Sequence, residues 1–514
     1  MSPIKHVFVL MMENRSFDHL LGLSGLPGID APDPSWGLRS GAADRAALDP
    51  PHEFEDVQAQ IAGNPPNSGF HVQPYANVSL QGFGPSTLPV LSSLAREYLL
   101  FDNWYASVPG PTWPNRFFAH AGSSGGLDNS PSGPECFECE TLDSLGFTFQ
   151  NGTLYQRLQA AGRRWRVYHA DAFPQVLAIR HMIDPFRLDT GHFRWIGDAA
   201  AGDFARDLNG GYDVDYTFIE PDYGLLKGGL ANGNSQHPTG SVAAGEAFIL
   251  AIYTALRASA IWSESLLFVT YDEHGGFFDR RYPPPATPPG DDDRNRGRAE
   301  HPAQFGFDQL GLRVPTVAIS PWIRPGSLGS QYFAGQCLDH TAIISTVREL
   351  FGTGAGSGAA GTPGTPGAPG TPGTPGTPGT ALPALTARDA GMPSVARICD
   401  HTPDPERLAP RLTTPPAPTA SATAWPATAW PATTSTSATE RTVRGFARIA
   451  MSLDLAMAQA RGIDPIAKAR PELELTLPPL GRPLPPASLP RRRDQLLEYI
   501  RAVAQRHRPA APTP

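Results

Sequence analysis

Two strand-end pairs, one hydroxyl and three histidines are the residues of this chain whose types and settings could do chemistry. Glu13 and Asn14 follow directly on the apolar run Val7–Met12, and Asp272 and Glu273 follow on Ser265–Tyr271, with His274, Gly275 and Gly276 next. In open α/β sheets, ligands bind just beyond the carboxyl ends of such strands. If both runs lie in one sheet, three carboxylates and an amide meet at its edge. Carboxylates so crowded repel one another unless a cation neutralises them. Oxygen-rich donors suit one divalent metal ion of the hard or borderline kind: Ca, Mg, Mn or Zn. Taken singly, each pair also reads as the start of a solvated turn. The metal expectation rests on the two together.

A metal of this kind usually serves a nucleophile. The candidate is Thr112, in the Pro-stiffened stretch Pro109-Gly-Pro-Thr-Trp-Pro-Asn115-Arg116, just before a helix expected over Arg116–Ala121. A helix N-terminus offers free N–H groups and a positive dipole end to an alkoxide or a phosphate. Metal coordination can lower a hydroxyl's pKa enough for it to attack. By itself Thr112 reads as a helix-capping hydroxyl. His237 in Asn234-Ser-Gln-His-Pro238, His340 in Asp339-His-Thr341, and His274 stand at expected loop–helix junctions and could move protons or hold phosphate. Ile219-Glu-Pro-Asp222-Tyr223 is a further acidic strand end, able either to line a pocket or to bend the chain.

The elements that must position these residues alternate between strands and helices. Runs of four to eight apolar residues without a polar face suit strands buried on both sides. Val7–Met12, Ser265–Tyr271 and Val314–Ser320 have that character, and Val242–Ser259 and Thr341–Leu350 have helical spacing. The expected fold class is α/β, a three-layer α/β/α sandwich around a largely parallel sheet. Gly-, Pro-, Asp- and Asn-rich stretches near 30–80, 125–150, 185–235 and 280–305 read as long loops over the active edge.

Residues 1–352 form the expected catalytic domain. Residues 353–440 read as a low-complexity Gly/Thr/Pro/Ala-rich linker: 353–387 holds no charged side chain and repeats Gly-Thr-Pro, and 412–439 is Ala/Thr/Pro-rich. The triplets imitate collagen, but an extended linker suits so few of them better. Residues 441–514 read as a C-terminal helical extension, with amphipathic patterns at Thr442–Arg461 and Arg491–Arg508.

Bulk properties narrow the function classes. A net charge of -8 gives no basic field, so nucleic acid is not expected as a partner. No stretch approaches the 18 apolar residues of a transmembrane segment, and six apolar residues after His6 fall short of a signal-peptide core. The chain as given therefore reads as soluble and cytoplasmic by default. Of four cysteines, Cys136 and Cys139 have a C-x-x-C spacing, but no second pair completes a zinc site. A local disulfide or two plain thiols is the expectation there.

The strings ENRSFDH, GPTWPNR, IEPDY, QHP, TYDEHGGFFD, RVPTVAISPW and DHT occur in that order over about residues 4–352. Together they resemble the bacterial phosphoesterases that include phosphocholine-preferring phospholipase C and an acid phosphatase, in the alkaline phosphatase-like superfamily. The resemblance implies that Glu13 and Asn14, with Asp272 and Glu273, bind one divalent metal ion. It implies that Thr112 is the nucleophile and also touches the metal, and that His237 and His340 lie near the transferred phosphoryl group. His274 and Asn115 belong to the strings without a distinct role. Threonine in place of the serine usual in the acid phosphatase branch leans toward the phospholipase-like branch. The expected function is thus metal-dependent phosphoesterase action through a phosphothreonine intermediate, phospholipase C-like on phosphodiesters. The substrate would be a phosphate ester, phospholipids included. One alternative is an acid phosphatase acting on phosphomonoesters. The other is a non-enzymatic surface or interaction protein built on the Gly/Pro stalk. Related proteins are often secreted, and the missing leader departs from that pattern.

Overall fold

A computed structural model describes residues 2–409, apart from 86, 132–145, 172–173, 188–189, 197–202, 225–226, 228, 300 and 353–381. Cys136 and Cys139, the Gly-Thr-Pro triplets and both expected C-terminal helices lie outside the described residues.

The described strands are β1 His6–Met12, β2 Arg39–Ser40, β3 Gln81–Gly82, β4 Leu99–Phe101, β5 Trp165–His169, β6 Phe193–Trp195, β7 Tyr216–Glu220, β8 Ser265–Tyr271, β9 Thr316–Ile319 and β10 Ser327–Leu328. Eight of them form one sheet in the order β10-β4-β9-β8-β1-β7-β5-β6, and β2 pairs with β3 separately. The large sheet is parallel except at β9, which runs against both β8 and β4. The expectation of a largely parallel sheet holds, with helices on both of its sides.

Every residue of β1 and of β8 is buried. Helix layers cover both faces of the sheet, so a central strand can have no polar side, and that accounts for the unbroken apolar runs. The register pairs Met12 with Tyr271 at the last rung between β1 and β8. Glu13 and Asp272 are the next residue on each strand. They leave the sheet side by side, although 259 positions separate them in the chain.

Several features differ from the sequence reading, and three bear on the site. The helix after the Pro-rich loop spans Thr112–Ala121, so Thr112 is its first residue rather than a residue before it. Pro114 lies in the first turn, where a missing N–H breaks no helical bond. The stretch near 30–80 is not only loop: helix Phe54–Ile61 and residues Leu38, Phe70, Ala76 and Leu80 build a small second core with Phe278 and Leu312. Finally, residues 382–409, expected as part of the linker, pack on the domain. They carry helix Ala387–Gly391, a 3-10 turn Val395–Ile398 and helix Pro405–Leu408. Leu382, Leu385, Val395, Ile398 and Cys399 join the main core. Apolar residues spaced through this stretch bury surface that Gly-Thr-Pro triplets cannot offer.

Candidate active site

The two strand ends close on each other through glycine. Gly275 and Gly276 have φ of +64° and +71°, in the left-handed region that costs glycine little. A Cβ at Gly275 would stand 2.1 Å from the Asn14 carbonyl oxygen, and one at Gly276 would stand 2.6 Å from Pro50 Cβ. No other residue would let β1, β8 and the 49–53 loop approach so closely. Asn14 itself has φ +57°, a conformation asparagine tolerates better than most residues.

Hydrogen bonds then fix the side chains. The Asn14 backbone N–H donates to Asp272 Oδ1 at 2.9 Å. Asn14 Nδ2 donates to Glu273 Oε1 and lies 3.3 Å from both Thr112 Oγ1 and His52 Nε2. Asp272 Oδ2 receives Arg116 Nε at 3.0 Å. Glu13 Oε1 receives Gln175 Nε2 at 2.8 Å. Glu13, Asn14, Thr112, Asp272 and Glu273 are thus gathered beyond the β1 and β8 ends, all of them buried.

Charge balance in this cluster is partly internal. Arg116 stands one helical turn after Thr112 and pairs with Asp272. His52 faces Glu273 at 3.7 Å. Burial disfavours the His52 cation, but Glu273 and Asp49 overcome that and hold its pKa up at about 9. Burial pushes Glu13 up to about 8 against the pull of Arg116, with Asp272 adding to the rise. Asp272 is raised by burial to about 6, and Arg116 limits the rise. Burial works against ionised Glu273 also, but His52 and His274 bring it below the usual carboxylate range. While Glu13 keeps its proton, Asp272 and Glu273 balance Arg116 and His52, and one negative charge is in excess once Glu13 ionises.

Two oxygens carry the fit to a metal. Glu13 Oε2 and Asn14 Oδ1 are buried and have no hydrogen-bond partner. A buried acceptor without a partner costs about 1–3 kcal/mol. These hard oxygen donors suit a divalent cation by their chemistry, and a bound cation would favour ionised Glu13. Among the described residues, no group of three or more His, Cys, Asp and Glu side chains forms a ready cage. The amide of Asn14 and the hydroxyl of Thr112 therefore have to take part in any such site.

The histidines divide. His237 is buried, its Nε2 has no hydrogen-bond partner and lies 3.9 Å from Asp49 Oδ2, and burial lowers its pKa to about 4. Arg15 holds its loop by donating to the carbonyls of Gln236, His237 and Pro238. His340 is bonded at both ring nitrogens. Its Nε2 donates to the Asp272 carbonyl at 2.6 Å, and its Nδ1 accepts from Trp104 Nε1 at 3.3 Å. Through the Asp272 carbonyl it steadies the β8 end. His274 bonds Gln60 Oε1 at 2.9 Å and lies 3.2 Å from Glu273 Oε2. Asn115 ties down the loop before Thr112 through Val108, Gly110 and Pro111.

Sequence reasoning missed His52, and it assigned no role to Arg116 or Gln175. His52 follows Pro50-Pro51 in a loop with no strand end beside it. Its only local signal is a histidine set between prolines and acids. Its Nδ1 bonds the Pro50 carbonyl at 2.7 Å, which turns Nε2 toward Asn14.

The α/β sheet edge thus assembles buried acids, a hydroxyl at a helix N-terminus and histidine nitrogens, and the family the chain belongs to makes it a hydrolase of phosphoric ester bonds. Residues 4–354 match the model described as the Phosphoesterase family, and the chain belongs to that family. Non-specific phospholipase C6 of Arabidopsis thaliana is 34% identical over 380 residues, 68% of each chain. Non-specific phospholipase C1 of the same plant is 33% identical over 392 residues, 68% of this chain and 67% of its own. Phospholipase C A of Mycobacterium tuberculosis strain H37Rv is 27% identical over 403 residues, 68% of this chain and 74% of its own. A solved alkaline phosphatase superfamily protein from Vibrio parahaemolyticus overlaps 68% of this chain and 67% of its own, at 12% identity and a TM-score of 0.31. So loose an overlay adds nothing to the strand order above.

Proposed function

We propose that this chain is a metal-dependent, phospholipase C-like phosphodiesterase that works through a phosphothreonine at Thr112. One observation carries the reading. The Thr112 hydroxyl begins a ten-residue helix and lies 3.3 Å from the Asn14 amide, whose Oδ1 has no partner, beside the acids of two strand ends. The phospholipase C names of the relatives point to diesters of phospholipid type as substrate.

Glu13, Asn14, Asp272 and Glu273 would hold the cation, with Thr112 as a fifth ligand. When bound, a divalent cation favours the ionised hydroxyl and neutralises charge growing on phosphoryl oxygens. Thr112 Oγ attacks phosphorus in line, and the bond from phosphorus to the leaving alcohol breaks on the opposite side. The N-terminal end of helix Thr112–Ala121 would add its positive dipole end beside that phosphoryl group. His52 gives the leaving oxygen its proton. Water then attacks the phosphothreonine, and His52 takes a proton back, which restores Thr112. His237, neutral at ordinary pH, presents Nε2 to a phosphoryl oxygen.

The decisive measurement compares native chain and Thr112→Ala on p-nitrophenylphosphorylcholine and p-nitrophenyl phosphate under one metal condition. The diester should be hydrolysed faster, and only by the native chain. A faster monoester reaction would move the assignment to the acid phosphatase alternative. Undiminished turnover by the alanine variant would remove Thr112 as nucleophile. Release of neither product, with no metal taken up, would leave the non-enzymatic alternative.

A further inference from the structure

Residues 382–409 lie past the family-matched region 4–354, yet one of their side chains enters the loops that carry the candidate nucleophile. Arg388 is 2% exposed. Its Nη1 donates to Asp339 Oδ2 at 2.8 Å and to the Ser107 carbonyl at 3.3 Å. Its Nη2 donates to the Phe307 carbonyl at 2.6 Å, and its Nε donates to the Thr287 carbonyl. The guanidinium also lies over the ring of Phe118, 5.2 Å from its centre.

These partners lead to the reacting groups by short covalent paths. Ser107 stands five residues before Thr112, in the loop that Asn115 pins through Val108, Gly110 and Pro111. Phe118 is on the helix that Thr112 begins. Asp339 precedes His340, which holds the Asp272 carbonyl, and the His340 N–H donates to Ser107 Oγ at 3.3 Å. Asp339 Oδ1 meanwhile accepts from the N–H and the hydroxyl of Thr341, at the start of helix Thr341–Phe351. One planar guanidinium thus joins the nucleophile loop, the nucleophile helix and the turn that steadies Asp272. Its fork geometry is what lets it reach a carboxylate and backbone carbonyls of separate loops at once.

We infer that Arg388 is a positioning residue for ester hydrolysis, supplied by a segment outside the family-matched region; this rests on the reading of Thr112 as nucleophile. Small displacements of a reacting group far from any change in contact with substrate lower turnover steeply. Arg388 touches neither the metal-binding candidates nor the phosphoryl site, so its loss acts on kcat and spares KM. A lysine keeps the charge on Asp339 but cannot make the fork.

The test measures steady-state kinetics and melting for Arg388→Lys, Arg388→Gln, Asp339→Asn/Arg388→Gln and Thr112→Ala, each in the full chain. The substrate is whichever of the two p-nitrophenyl esters the native chain hydrolyses faster. Both single Arg388 variants should lose about tenfold or more in kcat while KM stays within about twofold. The double variant removes the unpaired buried charge, so its melting should return toward native while kcat stays low. The inference is overturned if the double variant regains native kcat together with native melting, for Arg388 then only balances Asp339. It is equally overturned if Arg388→Lys, melting as the native chain does, keeps native kcat. Thr112→Ala separates the two readings. If it retains turnover, the nucleophile assignment fails, and if it alone is inactive, only the role of Arg388 falls.

Discussion

Glu13 and Glu220 end neighbouring strands, β1 and β7, and both are shut away from water, yet they are bonded in opposite ways. Glu220 accepts the backbone N–H of Gln175 at 2.5 Å and of Val176 at 3.0 Å, and the Tyr223 hydroxyl at 2.8 Å. Glu13 receives the side chain of the same Gln175, with Ser235 also favouring its ionised form, and its Oε2 has no hydrogen-bond partner. Both carboxyls are raised by burial, and Arg116 opposes the rise in each. What differs is unspent bonding capacity. A satisfied buried acid is scaffold, because its lone pairs already hold backbone in place. An unsatisfied one beside other acids is where a ligand can still bind. Gln175 spans the two, so the scaffold acid orients the residue that orients the candidate ligand.

The contrast can be broken most sharply at the nucleophile. Thr112→Ala should cost about a thousandfold or more in turnover while the fold is kept, since the hydroxyl is the reacting group. Glu13→Gln should come next, with about a hundredfold loss in kcat/KM and lowered metal content by elemental analysis. Glu220→Gln should do the reverse. It should lose about 1–3 kcal/mol in stability by denaturant titration, with activity changed only a few-fold. Equal losses of activity in the two glutamine variants would erase the distinction drawn here.

Removal of metal sharpens the same point. Dialysis against a chelator should abolish hydrolysis, and one of Ca, Mg, Mn or Zn should restore it. If the stripped protein kept full activity, Arg116 and His52 would be neutralising the acids unaided.

The smallest effect concerns Glu246, a buried acid away from the site that caps helix Pro89–Glu97 by accepting from Val90 and Leu91. Burial pushes its carboxyl up to about 7, above the ordinary 4.5, and the two N–H donors limit the rise. The folded state therefore holds the proton more tightly than the unfolded chain. Its contribution to stability is fully present below pH 4.5 and is lost as pH rises through 7, an effect of roughly 3 kcal/mol at most. Melting measured from pH 4.5 to 8 should fall less for Glu246→Gln than for the native chain. Parallel curves would show that Glu246 does not titrate in this range.

Legibility followed local pattern. β1 and β8 could be read directly because a strand covered on both faces must be apolar throughout. The acids that end them stood out against that background. β4, β6 and β10 are only two or three residues long and leave no period to find. The direction of β9 is set by its partners, not by Val314–Ser320 itself. The bonding of His340 could not be read from its string. A histidine's partners, Trp104 and the Asp272 carbonyl here, lie far away in sequence.

Residue types and strand-end positions indicated the α/β class and marked out Glu13, Asn14, Thr112, Asp272 and Glu273 as candidates, and the ordered strings carried the family resemblance. Each of those signals is local, set by burial of a strand or by the chemistry of a side chain. Tertiary structure alone decided that His52 faces Asn14, that Arg116 and His52 share the neutralising of the acids, and that Arg388 reaches the nucleophile loop from residues expected to be linker. Those facts depend on which groups meet across hundreds of positions and on which lone pairs the packing leaves unpaired, and no local pattern records that.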